Sequence, residues 1–474
     1  MENESTNKVT SKEKELFEKA PVFSAIVKLA LPSVVGQIIL VIYNMADTLF
    51  VSMTGSDVMI TAVTVCMPAF MFLSAISNLF GVGGSSVIAR ALGMENESRA
   101  KHAYQFSFWG CLFVTILYCI GAYVFLNQFI DLLGGTNPDV HFHASQYMIV
   151  AVILGGVVTS LNTLFAHLLR ARGKSLLASA GIAIGGILNV ALDPLLMFVI
   201  LPPGKEALGA AIATASSNAL ALIFYIIVLL RFRKVMHLSL KPDPKMFRDR
   251  IPRDVIYVGI PACLMTLFEN ISYAILDKLM SFHGLAAQTG IGVAKKINML
   301  AHSIVRGMAQ GVLPLIAYNY AAGNRIRMKS VVYRSAALSV LISILCMLPN
   351  YFLSYDLVGI FIQAESPSRE FGSLFLKILC VGAPFSAFSY SVISFFQATG
   401  RGGKSLILAL LRKGILDIPL MFLFMHPWPI YGIVAATPAA DIICCITAII
   451  LFAIFIKRHG KNKHRFAEIQ VPID

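Results

Sequence analysis

Of the 474 residues, 57% are hydrophobic and only 14% charged, and the mean hydropathy is +0.75. A chain this long with so little charge is excluded from the soluble globular classes and reads as an all-α integral membrane protein. The formal charge of +14 raises nucleic acid as a partner, but Lys and Arg fall in short clusters between apolar runs, the membrane-protein pattern, which argues for membrane lipids and against nucleic acid.

The first twenty residues are polar and mixed in charge, and the apolar run that follows is too long for a cleaved leader. It reads instead as the first of about twelve spans, at 23–51, 58–84, 103–130, 144–169, 175–201, 208–230, 255–281, 285–316, 330–354, 371–398, 405–426 and 430–456. Basic clusters follow the even-numbered spans: Arg90, Arg99 and Lys101; Arg170, Arg172 and Lys174; Arg325, Arg327 and Lys329; Arg401 and Lys404. Others fill the link 231–254 and the tail 457–474, including Arg233, Lys234, Lys463 and Arg465. The odd-numbered connections are short or carry acids such as Asp57, Asp131, Asp139, Asp356 and Glu365. The positive-inside rule then makes both termini and the central link cytoplasmic, in a multi-pass plasma-membrane protein.

The chain repeats itself. Gly173-Lys-Ser-Leu176 returns as Gly403-Lys-Ser-Leu406, Leu31-Pro32 as Ile260-Pro261, and Ala91-Leu-Gly93 as Ala321-Ala-Gly323. Gly209-Ala-Ala-Ile-Ala-Thr214 returns as Gly432-Ile-Val-Ala-Ala-Thr437. Collinear matches of this kind indicate two six-helix halves, and six spans bring the chain back to its starting side, so both halves share one orientation. The expected plan is a cytoplasmic segment 1–22, an N-lobe 23–230, a basic linker 231–254, a C-lobe 255–456 and a basic tail 457–474. Since the duplication supplies both halves, a monomer suffices.

Polar residues inside the spans carry the functional signal, because an acid at the centre of a membrane helix costs about 2.5–3.5 kcal/mol and normally faces a protein interior or a wet cavity. In the fifth span Asn189 and Asp193 are four residues apart, on one helix face, with Pro194 weakening the backbone hydrogen bonding behind them. Tyr43 and Asp47 have the same spacing in the first span. If spans one and five touch, these residues form an oxygen-rich cluster able to hold a hard cation or carry a proton. The alternative for Asp47 is a boundary position, where it caps the helix or meets headgroups. In the second half, the run Gly414–Phe422 echoes Gly186–Phe198 and contains Asp417, which shares its span with Arg412 and Lys413. Asp277 is the repeat equivalent of Asp47 and has Lys278 beside it. Glu269, with Asn270, lies deeper and has no cation adjacent in sequence, making it the better candidate for meeting a cationic substrate or a proton. Lys295, Lys296 and Arg306 are expected to snorkel or to pair with these acids.

Two motifs mislead. Ala398-Thr-Gly-Arg-Gly-Gly-Lys-Ser405 fits a relaxed phosphate-loop pattern, but it joins two spans and lacks the strand and the soluble domain such a loop needs. Gly81-Val-Gly-Gly84 reads as close helix packing or a hinge. The eight cysteines sit in or beside apolar runs without metal-ligand spacing and read as small hydrophobes. No catalytic constellation and no cofactor motif is evident, so an enzyme is not expected, and no repeated filter-like loop points to a channel.

With Asp47, Asn189, Asp193 and the duplication in view, the chain resembles the multidrug and toxic compound extrusion (MATE) family over essentially its whole length. The most specific stretches are Asn-Met-Ala-Asp-Thr at 44–48, Leu188-Asn-Val-Ala-Leu-Asp-Pro194 and Gly209–Thr214. The resemblance implies two pseudo-symmetric six-helix bundles around a V-shaped cavity, and export of small cationic or amphiphilic molecules against H⁺ or Na⁺. It places Asp47, Asn189 and Asp193 in an N-lobe cation-coupling cluster, with Thr214 and Tyr43 as further members. The same three residues would be the metal ligands if the ion is Na⁺. Glu269 resembles the acid that some members carry in span seven. The chain departs in span ten, where some members keep an acid and this sequence has only Lys377, which favours coupling through the N-lobe. The nearest alternative function is a lipid-linked precursor flippase of similar architecture, which would line its cavity with deep Arg and Lys.

Overall fold

The computed structural model describes residues 14–232, 240–362 and 366–461, and among them there are helices and no strands. The expectations for Arg233, Lys234, Glu365, Lys463 and Arg465, and for the rest of 1–13 and 462–474, lie outside the described residues. Nine helices are long and apolar enough to cross a membrane, and two bent pairs bring the number of such spans to as many as eleven.

The N-terminal six are α1 (Val22–Met53), α2 (Asp57–Gly93), α3 (Glu97–Val124), α4 (Pro138–Leu154 and Gly156–Ala171, bent by 46°), α5 (Ser175–Ile200) and α6 (Glu206–Phe232). The second set is α7 (Ile251–Ser281), α8 (Leu285–Ala321), α9 (Arg325–Phe352), α10 (Pro367–Cys380 and Ala383–Ala398, bent by 43°), α11 and α12 (Tyr431–Lys461). The segment α11 falls below the length of a single span because it is broken into Gly402–Leu410, a π-helical turn Leu411–Ile415 and Asp417–Phe424. A helical segment therefore lies at each of the twelve expected positions, and as many as eleven of them are long and apolar enough to cross a membrane. The third ends earlier than expected, since the helix stops at Val124 and a separate short helix, Leu126–Leu132, carries the rest of the apolar run.

Local chemistry sets the helix ends, and it does so twice. Asn96 accepts a hydrogen bond from the Arg99 amide at 2.8 Å to start α3, and Asn324 accepts one from the Arg327 amide at 3.1 Å to start α9. In α5 the missing amide hydrogen of Pro194 coincides with a change of winding, and the helix continues through Leu195–Ile200 as a π-helical turn.

The two lobes meet through α1 against α8 and α2 against α7, in the halves of these helices nearest the basic connections. Small residues allow this: a Cβ on Gly83 would overlap the Val255 carbonyl oxygen, and one on Gly259 the Leu79 carbonyl oxygen. The glycines of 81–84 are thus packing residues. Ser86 Oγ donates to the Gln397 carbonyl across the same interface at 2.6 Å, and Arg99 pairs with Asp254 at 2.7 Å. A short turn before α1, Glu15–Lys19, spans both lobes. Buried Phe17 stacks on Tyr318 of the C-lobe with ring centres 5.0 Å apart, and lies against Gly173 of the N-lobe. Its carbonyl accepts hydrogen bonds from Asn319 (3.1 Å) and Arg327 (2.7 Å), while Lys14 pairs with Glu95.

The phosphate-loop lookalike is a packed turn between α10 and α11. Gly400 takes a positive φ of 71° there, and Gly402 abuts the Tyr257 carbonyl.

Candidate functional site: a cavity between the lobes and two buried polar clusters

Away from their contact surface the lobes part around a cavity of about 1530 Å³ of empty space, its mouth included. The N-lobe wall carries Tyr43, Asn44, Asn162, Asn189, Thr214 and Asn218. The opposite wall carries Thr266, Glu269, Asn270, Tyr273, Arg306 and Gln310. Two hydrogen bonds bridge the walls, Asn78 Nδ2 to Thr266 Oγ1 at 2.9 Å and Gln37 Nε2 to Gln310 Oε1 at 3.2 Å.

Helices α1 and α5 do touch, which meets the condition the sequence left open. Gly36 stands against Ser179, and Gly186 against Ile39 and Tyr43, so α5 can approach α1 closely where it bears its polar face. Asn189 Nδ2 donates to Asp193 Oδ1 at 3.3 Å and to Thr214 Oγ1 of α6 at 3.4 Å. Asp193 is fully buried and Asp47 is 6% exposed, and Asp193 lies within electrostatic reach of the Asp47 carboxylate. Asp47 is therefore buried within the protein and not exposed to headgroups. Tyr43, Asn189 and Thr214 face the cavity, with the two acids behind them. Three oxygens of the cluster, Asp47 Oδ1, Asn189 Oδ1 and Asp193 Oδ2, receive no hydrogen bond from the described residues. Sequence reasoning missed one neighbour: Tyr147 of α4, buried within electrostatic reach of Asp47, Asp193 and Tyr43. An aromatic residue at the start of an apolar run gives no signal of such a position.

The second-lobe candidates have different surroundings. Asp417 accepts hydrogen bonds from Lys413 Nζ (2.9 Å), Thr437 Oγ1 (2.9 Å) and Ser272 Oγ (2.5 Å), all buried. Asp277 pairs with Lys295 of α8, and not with its sequence neighbour Lys278. Neither acid lines the cavity. Glu269 and Asn270 do, but Glu269 is not free of cations: Arg306, one helix away, donates to both of its oxygens at 3.1 and 3.3 Å. Arg412 is buried and turned from Asp417 toward Asp441 of α12, at 2.9 Å, with Ser386 Oγ at 3.0 Å. Arg412 and Asp417 are five residues apart and on different helix faces, whereas Lys413 and Asp417 share one. Asp441 was legible as an acid in an apolar run and was overlooked. Arg170, placed by its sequence position in the basic cluster after the fourth span, is 2% exposed, lines the cavity and donates to Ser33 Oγ at 3.2 Å.

Among the described residues no group of three or more His, Cys, Asp or Glu converges as a metal site. The N-lobe cluster offers two carboxylates, an amide, a phenol and a hydroxyl. Such all-oxygen donors suit a hard monovalent cation or a proton, and not a transition metal.

Comparison with known proteins agrees with this architecture. The chain is 28% identical over 439 residues to the multidrug export protein MepA of Staphylococcus aureus (strain MRSA252), a match covering 92% of this chain and 94% of that one. It is 27% identical over 455 residues to MepA of Staphylococcus saprophyticus, covering 95% and 98%. Its fold superimposes on a crystal structure of a MATE in complex with MaL6, with a TM-score of 0.87 at 23% identity, over 95% of this chain and 99% of that one. An outward-facing multidrug resistance MATE family transporter of the MOP superfamily superimposes equally well, with the same score and coverage. The MatE family model matches twice, at residues 32–195 and again at 261–423, once in each half of the duplication. Two matches of one model, the twelve-segment plan and the shared fold establish that the chain is a multi-pass membrane protein belonging to the MatE family.

Proposed function

We propose that the protein is a secondary active multidrug exporter of the plasma membrane, moving cationic and amphiphilic organic compounds against H⁺ or Na⁺ by alternating access. The moving bodies are the halves 23–230 and 255–456, joined by the linker 231–254, and a single copy of the chain is the working unit. The observation that carries this reading is the pair Asp47–Asp193, buried behind the cavity wall with open oxygens and, among the described residues, no basic partner at hydrogen-bond distance. Two unpaired carboxylate charges in a low-dielectric interior cost several kcal/mol each, so the pair favours taking up a cation or a proton. Asn189 and Thr214 connect that event to the cavity surface, and Pro194 gives α5 a place to yield. An ion drives exchange only if it binds one state of the transporter better than the other, and a cluster at the α1–α5–α6 junction changes shape when those helices repack.

With the basic connections and both termini assigned to the cytoplasm, the lobes meet on the cytoplasmic side and the cavity faces outward. Glu269 is the acid that a cationic compound meets on the C-lobe wall, where it competes with Arg306. A lipid-linked precursor flippase needs deep cations available to phosphate. Here Arg306 on the cavity wall is engaged by Glu269, and a second deep cation of the cavity lining, Arg170, donates to Ser33 Oγ; one such cation set against two buried acids behind the wall favours the exporter.

The test is efflux of a fluorescent cationic dye from proteoliposomes under a pH or a Na⁺ gradient, each imposed separately. Gradient-driven efflux is expected in the wild type, falling about 5- to 150-fold in Asp47→Asn and Asp193→Asn. The gradient that works names the ion. Folded protein that moves no dye under either gradient would refute the exporter.

A further inference from the structure

The residues of the N-lobe cluster have counterparts in the C-lobe, where Asp277 is turned to Lys295 and the others gather around Lys413 and Asp417. Tyr43 and Asp47 of α1 correspond to Tyr273 and Asp277 of α7, each 230 residues on. Asn189 and Asp193 of α5 correspond to Lys413 and Asp417 of α11, each 224 residues on, and Thr214 of α6 corresponds to Thr437 of α12. Four of the five positions keep their residue type, and the fifth changes from a neutral amide to a cation.

The contacts correspond as well. In both lobes the residue one turn before the buried Asp donates to it, Asn189 to Asp193 at 3.3 Å and Lys413 to Asp417 at 2.9 Å. In both lobes the Thr of the following helix joins the same group, Thr214 through Asn189 and Thr437 by donating to Asp417. Lys413 Nζ also lies 5.1 Å from the centre of the Tyr273 ring, on the residue equivalent to Tyr43. The difference is in what remains open. Asp193 Oδ2 and Asn189 Oδ1 accept no hydrogen bond from the described residues, whereas both oxygens of Asp417 are taken, Oδ1 by Thr437 and Oδ2 by Lys413 and Ser272.

We propose that the C-lobe contains a second copy of the cation site, permanently filled from within by the tethered ammonium of Lys413. The proposal rests on the reading of the N-lobe cluster as a coupling site and adds a number to it, one exchangeable ion per protein. A covalently held cation cannot leave, so Asp417 takes no part in the exchange cycle, and the C-lobe keeps the charge state that the N-lobe reaches only on binding. Removal of the ammonium opens the second site to the same ion. Lys413→Asn restores the N-lobe residue type at that position and leaves Asp417 with Thr437 and Ser272 as fixed oxygen neighbours. Arg412 remains directed at Asp441 in that variant, so it does not replace the lost charge on Asp417.

The experiment is ion binding to the purified full chain in detergent, with ²²Na⁺ and separately by potentiometric proton uptake. The variants are wild type, Asp193→Asn, Lys413→Asn and the double Lys413→Asn/Asp193→Asn. Expected stoichiometries are one, none, two and one. A folded Lys413→Asn protein that binds no more than wild type overturns the proposal. If wild type binds no ion, the N-lobe reading fails by itself; a gain of one ion in Lys413→Asn still supports the filled site, and no gain overturns it. Should Lys413→Asn not fold, the neutral pair Lys413→Gln/Asp417→Asn decides. One bound ion and gradient-driven dye efflux at the wild-type rate support the proposal, and loss of either overturns it.

Discussion

The middle of α5 and the middle of α11 descend from one sequence pattern and have reached opposite electrostatic solutions. In the N-lobe, Asp47 and Asp193 are buried, each with an oxygen that receives no hydrogen bond and neither with a base at hydrogen-bond distance among the described residues. In the C-lobe, each buried acid among the described residues has a base within hydrogen-bond reach, Asp417 with Lys413, Asp441 with Arg412 and Glu269 with Arg306, and the half-exposed Asp277 has Lys295. A neutralised polar core is content in one state, while an uncompensated one depends on what it binds. The fold thus divides its labour, with one lobe electrically settled and the other left responsive.

The sharpest way to break this contrast is to neutralise the same acid in each lobe. Asp417→Asn leaves the Lys413 charge buried without its acid and is expected to cost about 3–5 kcal/mol. Asp193→Asn removes a charge that has no partner, and its thermal unfolding in detergent is expected at or above the wild-type temperature. Equal losses in the two variants would mean that both lobes are balanced alike. A smaller effect tests whether the lobes move as bodies. Gly83→Val places side-chain atoms into the Val255 carbonyl, and overpacking of about 1–3 kcal/mol should disfavour the contact between α2 and α7. Spin labels on the two lobes at the basic end are expected to move apart, and an unchanged distance distribution would show that this contact does not gate the lobes. The smallest effect is at the surface. The hydrogen bond from Lys14, and then its charge, hold the Glu95 carboxyl below the usual glutamate range. Its contribution is therefore present at neutral pH and lost as pH falls through that lowered range. A slight stability deficit of Glu95→Gln at pH 7 should vanish in acid, and a deficit that persists there would assign it to packing.

Much of this was legible from the sequence because a membrane span must be apolar, so an exception stands out. The twelve segments followed from hydropathy, and Asp47, Asn189 and Asp193 from their anomaly within it. The adjacency of α1 and α5 also had a sign in the glycines at 36 and 186, whose meaning depends on which helices are neighbours. The partners of the cations were legible in part. Lys295 and Arg306 pair with the span-seven acids Asp277 and Glu269, as expected, whereas sequence proximity grouped Arg412 with Asp417 and its helix face gives it Asp441 instead. Arg170 shows the same limit from the other side. A basic residue at a span's end looks solvated, yet Arg170 is buried against Ser33 of α1. Tertiary placement, and not composition, decides which charges are paired.

The short turn around Phe17 has a consequence for how the molecule can be handled. Its aromatic ring rests on Tyr318 of one lobe while Gly173 of the other closes over it, so the chain's first described residues are held jointly by two bodies. In the proposed cycle the lobes separate at that end, and the turn must then release one of them. An attachment at the N-terminus is thus joined to a reporter of conformation, and a bulky or charged tag there acts as an effector of the cycle it was meant only to follow.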